Sequence, residues 1–189
     1  MIPKIGNITK DLERLQARQD RVMSLSRSVI RLAGESISNM HAKKYREVKK
    51  QLARLKKMVL ELKGAEGGFE YYSMQAHQEY VEASMLYSII TTGKVPGASE
   101  MKENSVNYLL GVMDTMGELK RESFEEMRAG NIRRAKEYFT IMQKVYDATL
   151  HIRFANSVLP NFRKKQDVAR IQLEGTGSEL LRLSGSDKV

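Results

Sequence analysis

Two pairs of carboxylates stand out because each lies in a stretch that is otherwise almost free of charge. Glu79 and Glu82 are the only charged residues in the segment 71–92, although 29% of the whole chain is charged. Asp114 and Glu118 lie in a second stretch of the same kind, further along the chain. Residues three or four apart share one face of a helix, so each pair is expected to point in one direction.

Carboxylates in neutral surroundings need compensation, because an ionised group without a partner is expensive to bury. One compensation is a set of salt bridges to the many Lys and Arg side chains. The other is a hard divalent cation, since Mg²⁺ and Mn²⁺ prefer oxygen ligands. Such an ion can polarise a phosphodiester and activate a water for hydrolysis. The spacing alone leaves both interpretations open.

A di-iron site is a weaker hypothesis. Ferritin-like bundles repeat a Glu-x-x-His motif on two helices, and none of the three histidines here has a glutamate three positions before it. We therefore expect His77, which lies just before the first acidic pair, in the core or behind the ligands rather than among them.

The elements that must position these carboxylates are predicted to be long helices. The chain has three prolines, no tryptophan and 11 methionines, and it is rich in helix-forming residues. No stretch shows the period-two alternation of a strand. Apolar periodicity and chain breakers place helices at about 8–38, 41–63, 69–92, 99–128, 132–156 and 161–183. Each of the first two is predicted to have one apolar face. This face comprises Leu12, Leu15, Val22, Leu25, Val29 and Leu32 in the first helix, and Tyr45, Val48, Leu52, Leu55, Val59 and Leu62 in the second, where it forms a buried stripe.

Short connectors between long helices predict antiparallel neighbours. We expect an all-α fold, an antiparallel bundle of six to seven long helices in a single domain over residues 1–189. Its ordered core is expected at about 8–183, with 184–189 disordered. Ser99 is the expected cap of the fourth helix.

The charge balance favours a polyanionic partner. The chain has 32 Lys and Arg against 23 Asp and Glu, a net charge of +9, which is typical of nucleic-acid binding but also of a merely soluble surface. Two sets of cations are candidates for phosphate contacts. The first comprises Arg18, Arg21, Arg27 and Arg31, and the second comprises Lys43, Arg46, Lys50, Arg54 and Lys57.

The location predicted from composition is the cytoplasm. Cysteine is absent, which rules out disulfides and thiolate metal sites and suits a reducing compartment. No apolar run approaches the roughly 18 residues that span a bilayer, so no membrane association is expected. The first residues are too polar for a signal peptide.

Several segments together resemble the translin family. "QEYVEA" (78–83) and "GVMDTMGELKR" (111–121) resemble the catalytic helices of its translin-associated factor X branch. "RVMSLSRSVIR" (21–31) and "GNIRRAKEYFTIMQKVYD" (130–147) support the resemblance, which extends over about 8–183. The segment from Leu159 to Leu181 is similar to the basic final helix of translin itself.

The resemblance implies a fold of about seven helices and Mg²⁺-dependent endoribonuclease activity, with Mn²⁺ as a substitute. By motif matching it implies that Glu79, Glu82, Asp114 and Glu118 are the catalytic metal ligands. It also implies a homo-oligomer, an octameric shell that encloses short duplex or single-stranded RNA. A compact prokaryotic-type member would fit the length of the chain.

Two other functions remain open at the sequence level. The translin branch lacks the full acidic set and binds single-stranded RNA or DNA without cutting it, so a non-catalytic binding oligomer is the main alternative. A structural helical bundle with no nucleic-acid partner is the third possibility.

Overall fold

The structure is a computed structural model that describes residues 5–186, with side chains described for residues 6–183. This part of the chain contains seven α-helices, one 3₁₀ turn and no strand, which confirms the predicted all-α fold. The elements are α1 (Ile5–His41), α2 (Tyr45–Glu66), the 3₁₀ turn (Glu70–Tyr72), α3 (Met74–Thr92), α4 (Ala98–Met101), α5 (Ser105–Arg128), α6 (Ile132–Thr149) and α7 (Phe162–Ser186). The backbone of α7 therefore continues beyond the predicted end at 183, and residues 187–189 lie outside the described part.

The chain divides between Ala83 and Ser84 into two compact units. The first contains α1, α2, the 3₁₀ turn and the first half of α3. Its helices α1 and α2 pack along each other, and they run antiparallel because contacts pair the end of one with the start of the other. Near the turn, Asn39 donates to Gln51 at 3.2 Å, and at the far end Arg21 meets Glu61 at 3.1 Å.

The apolar stripe predicted on α2 is confirmed, since its members are buried or half-buried along the whole helix. Val48, Leu55, Val59 and Leu62 are buried, at 0–2% exposure. The basic stripe on the opposite side is exposed. A helix with one apolar and one charged face packs by the apolar one, as its 3.6-residue period dictates.

The apolar face predicted for α1 is only partly buried. Val22, Val29 and Leu32 are buried, whereas Leu12 and Leu15 are 59% and 51% exposed. With 37 residues α1 is about 55 Å long, whereas the 22 residues of α2 give about 33 Å. The first turns of α1 therefore extend past the helix that covers the rest of it.

The second unit contains the rest of α3 and the helices α4 to α7. Here α5 packs against both α6 and α7, and α6 also packs against α7. Met127, Ala135 and Leu180, from α5, α6 and α7 respectively, form one cluster of its core. These three helices position Asp114 and Glu118, both on α5.

The predicted fourth helix begins too early. Ser99 does not cap a long helix, because the chain makes only the short α4 and then breaks at Lys102, whose φ of 56° is left-handed. The long helix α5 begins after Asn104, whose side-chain oxygen accepts from the Asn107 amide at 2.9 Å. The fifth predicted helix is likewise too long at its end, since α6 stops at Thr149.

Within the described residues, no helix combines the length and the apolar character needed to cross a bilayer.

Candidate functional site

The first acidic pair lies in the middle of α3. Glu79 and Glu82 are both half-buried, and each has interaction partners in the protein. The residues next to them, Tyr80, Val81 and Ala83, are buried. The backbone of this pair is therefore fixed by core packing, while the two carboxylates retain access to solvent.

A buried histidine is tied down one turn before this pair. His77 is 2% exposed, and its Nε2 lies 2.5 Å from Oε1 of Glu66 at the end of α2. The Ser73 hydroxyl donates to the same oxygen at 2.5 Å. The expectation that His77 is a core residue is confirmed, and its contacts join the start of α3 to the end of α2.

The second acidic pair lies on α5, and its first member is held by a lysine. Both carboxylate oxygens of Asp114 accept hydrogen bonds from Nζ of Lys165 on α7. The Asp114 side chain is 31% exposed and that of Lys165 is 25% exposed. Burial raises the pKa of the Asp114 carboxyl, and the hydrogen bonds and charge of Lys165 offset part of this rise.

The ion pair borders a cavity of about 370 Å³ between α5 and the start of α7. The cavity is lined by Met113, Asp114, Asn161, Lys164, Lys165, Val168 and Gln172. One of its lining residues, Gln172, has a buried side-chain oxygen without a hydrogen-bond partner. The cavity thus combines two lysines, a carboxylate and two amide side chains.

The first turn of α7 carries a run of cations that was not among the predicted site residues. Arg163, Lys164 and Lys165 follow one another there, and the turn has no acidic residue. Cations are disfavoured at the positive end of a helix dipole, so three in a row at a helix start is a signal that could have been read from the sequence. Neither Lys164 nor Lys165 was among the predicted site residues.

The acidic face of α5 also extends further than predicted. Glu118 is half-buried, and Glu122, one turn on, is only 5% exposed. Residues spaced by four share a helix face, so Asp114, Glu118 and Glu122 form one row. Glu122 was missed because its neighbours Lys120 and Arg121 made its surroundings look like an ordinary charged surface.

The four predicted ligands thus occupy two helices, two on α3 and two on α5. Within the described residues, no three Asp, Glu or His side chains converge so as to hold a metal ion. Carboxylate oxygens are nevertheless the donor type that Mg²⁺ and Mn²⁺ prefer, so the residues fit these ions in kind. Asp114 would have to exchange Lys165 for the ion.

In the first predicted set of cations, Arg18 and Arg21 contact other residues of the chain. Nε of Arg18 donates to the backbone carbonyl of Ala65 at 2.9 Å, at the end of α2. Arg21 pairs with Glu61, with both side chains more than half exposed. Arg27 and Arg31 are exposed. Arg18 therefore has a structural contact that the sequence did not indicate.

Four members of the second predicted set lie on α2, and Lys43 lies in the turn before it. All five are exposed. Three of them border an open cavity of about 640 Å³ at the start of the helix. The lining residues are Lys43, Lys44, Tyr45, Arg46, Glu47 and Lys50. A role in phosphate binding remains a prediction for both sets.

Comparison with known proteins identifies the family. The chain belongs to the translin family, whose family description matches residues 3–175. It is 31% identical over 169 residues to an uncharacterized protein of Methanocaldococcus jannaschii, a match that covers 86% of this chain and 75% of the relative. The resemblance inferred from the motifs is thereby confirmed at the level of the family.

Solved structures of similar fold cover nearly the whole chain. The AfC3PO–duplex RNA complex matches with a TM-score of 0.91 at 24% identity, covering 97% of each chain. The structure of apo-NeC3PO matches with a TM-score of 0.87 at 25% identity, covering 96% of this chain and 97% of the other. These likenesses confirm the predicted translin-like fold.

Proposed function

We propose that this chain is a metal-dependent endoribonuclease of the translin-associated factor X type, which hydrolyses phosphodiester bonds in RNA. Its catalytic residues and metal ligands are Glu79, Glu82, Asp114 and Glu118. The observation on which the proposal depends is that all four carboxylates are half-buried, on helices whose neighbouring residues form the core. Membership of the translin family supports RNA as the substrate, as does the duplex RNA bound by the similar AfC3PO.

The chain's own residues have two tasks in this reaction. The carboxylates would hold the ion, and one of them would accept the proton of the attacking water. Cationic side chains bind the RNA backbone, which gives affinity without sequence preference. A bound Mg²⁺ or Mn²⁺ ion would supply polarisation of the scissile phosphate and activation of the water. The expected products have a 5′-phosphate and a 3′-hydroxyl.

Self-association is part of the same proposal. Ile8, Leu12 and Leu15 follow one another at steps of four and three on α1, and each is more than half exposed. An apolar row of this kind is typical of a surface that contacts another protein. We propose a cytoplasmic homo-octamer in which a second copy covers this row. Native mass spectrometry tests this subunit number, and Leu12→Glu should dissociate the assembly.

Cleavage of end-labelled RNA with and without Mg²⁺ tests the catalytic assignment. Asp114→Asn, Glu118→Gln and the double change of Glu79 and Glu82 to Gln should each lower the cleavage rate by about 100-fold or more, the usual effect of losing an essential proton-transfer group or electrostatic stabiliser. Asp147→Asn is a matched control, because it removes an exposed carboxylate from α6 and should cut normally.

The outcomes separate the candidate functions. Undiminished cleavage by the acidic variants would overturn the catalytic assignment. RNA binding by the unaltered chain that falls steeply with salt, without Mg²⁺-dependent cleavage, would favour the non-catalytic binding oligomer. Failure to bind RNA at all would favour a structural bundle.

A further inference from the structure

The ion pair between Asp114 and Lys165 is partly desolvated and borders a cavity. The Asp114 side chain is 31% exposed and that of Lys165 is 25% exposed, so each charge has lost part of its hydration and depends on the other for compensation. An ion that enters the cavity can therefore compete with either partner.

The surroundings of Lys165 indicate what that other partner would be. Arg163 and Lys164 precede it in the first turn of α7, where the helix dipole adds further positive charge. Asp114 alone offsets this excess within the cavity lining, since the other lining residues are neutral apart from Lys164. The cavity therefore favours an additional anion.

The cavity also has the size and the polar groups for a ligand. Its volume of about 370 Å³ lies in the usual range of about 300–1,000 Å³ for ligand clefts. The amide side chains of Asn161 and Gln172 line it together with the two lysines. A phosphodiester would meet two ammonium groups and amide donors there.

We propose that Lys165 is an exchangeable counter-ion, which holds Asp114 in the absence of RNA and transfers to an RNA phosphate when RNA enters this cavity. Asp114 is then released to bind the divalent cation. The inference rests on the proposed nuclease function and adds a substrate-binding residue to it. It makes RNA binding and metal binding at Asp114 mutually dependent, and by linkage each must strengthen the other by the same factor.

Lys165→Met tests the exchange because it keeps the length of the side chain and removes its charge. Lys164→Met is the matched control, since Lys164 lines the same cavity whereas Asp114 pairs with Lys165. Without RNA, Lys165→Met should bind Mn²⁺ about three- to tenfold more tightly, as measured by the electron paramagnetic resonance signal of free Mn²⁺. Lys164→Met should leave this affinity within about twofold.

RNA binding in EDTA, where no cleavage occurs, gives the second measurement. Lys165→Met should weaken binding and lower the slope of log Kd against log salt by about one, the effect of losing one phosphate contact. Asp114→Asn should have the opposite effect and tighten binding, because it frees Lys165 for phosphate. Asp167→Asn removes an exposed carboxylate two residues beyond Lys165, and it should tighten binding less than Asp114→Asn.

The results distinguish this inference from the proposed function. If the unaltered chain cleaves RNA but Lys165→Met leaves Mn²⁺ affinity unchanged, the counter-ion role is wrong and the nuclease assignment stands. If the Mn²⁺ and EDTA measurements come out as expected but no Mg²⁺-dependent cleavage occurs, the exchange stands and the nuclease assignment is wrong. Should Lys165→Met fail to fold, the Asp114→Asn and Asp167→Asn pair decides, and equal RNA affinity of these two refutes the exchange.

Discussion

Arg18 is expected to stabilise the fold rather than to bind RNA, contrary to its place in the predicted phosphate-binding set. Its Nε donates at 2.9 Å to the carbonyl of Ala65, near the end of α2. The carbonyls of the last turn of a helix have no partner within the helix, and the negative end of the helix dipole attracts a cation. Replacing Arg18 by Met should therefore destabilise the first unit.

The magnitude follows from these two contributions. A hydrogen bond from a charged donor contributes about 1.5–3 kcal/mol, and the lower end applies because Arg18 is exposed and the bond itself is only partly buried. The interaction with the dipole adds about 0.3–1 kcal/mol. We expect a loss of roughly 1.8–2.5 kcal/mol, which for a chain of this length lowers Tm by about 4–10 °C.

Urea unfolding followed by circular dichroism, at one fixed protein concentration, measures this loss. Arg27→Met is the control, because Arg27 is exposed on the same helix and surface changes usually stay within about 0.5 kcal/mol. Arg27→Met should weaken RNA binding more than Arg18→Met does, although it should affect stability less. Equal stability of the Arg18 and Arg27 variants would refute the reasoning.

A double-mutant cycle with Gly67 sharpens the test. Gly67 ends α2 with a φ of 38°, and a Cβ there would lie 2.1 Å from a guanidinium nitrogen of Arg18. Gly67→Ala should therefore displace Arg18 as well as strain the backbone. The two changes should be non-additive by about 1 kcal/mol, whereas strict additivity would show that the guanidinium does not occupy this position.

Two further predictions concern the second unit. Gly175→Ala should stabilise the protein by about 0.5–1 kcal/mol, because alanine favours the helix and a Cβ there meets no atom within 4 Å. Gly177→Ala should lose this gain, since its Cβ would lie 3.1 Å from two ring carbons of Phe139. Thermal melts of both variants check the difference. Asp114→Asn should have the same free energy of unfolding as the unaltered chain near pH 3.5 and a larger one at pH 7. Burial raises the pKa of the Asp114 carboxyl, so the unaltered chain loses the stability linked to the protonated carboxyl as pH rises above about 4. Urea titrations at the two pH values measure this, and a less stable variant at pH 7 would show that Lys165 outweighs burial.

Patterns local to one helix were predictable from the sequence. The regular apolar steps on α2 correctly identified its buried face, since a 3.6-residue period needs no knowledge of the partner helix. The same pattern on α1 could not show that Leu12 and Leu15 are exposed. An apolar row looks identical in sequence whether its own chain covers it or not.

Features that depend on distant residues or on one unusual residue were not predictable. Arg18 meets Ala65 across 47 positions and Lys165 meets Asp114 across 51. The run of cations at 163–165 is visible in the sequence, but neither partner, Ala65 or Asp114, can be read from a local pattern. The break before α5 depends on the left-handed Lys102, a conformation that is uncommon for a residue with a Cβ. Asn104 can cap α5 only because the chain breaks just before it, so its capping role could not be predicted without that break.

The ion pair between Asp114 on α5 and Lys165 on α7 shows why acidic residues in a neutral stretch do not by themselves indicate a metal site. Spacing left a choice between salt bridges and a cation, and the structure shows that one carboxylate, Asp114, is engaged by a lysine. The two interpretations exclude each other only if the pair is permanent. Asp114 and Lys165 border a cavity of about 370 Å³. In the exchange proposed above, the same carboxylate pairs with the lysine when RNA is absent and with the metal when RNA is bound, so the two interpretations describe two states of one site.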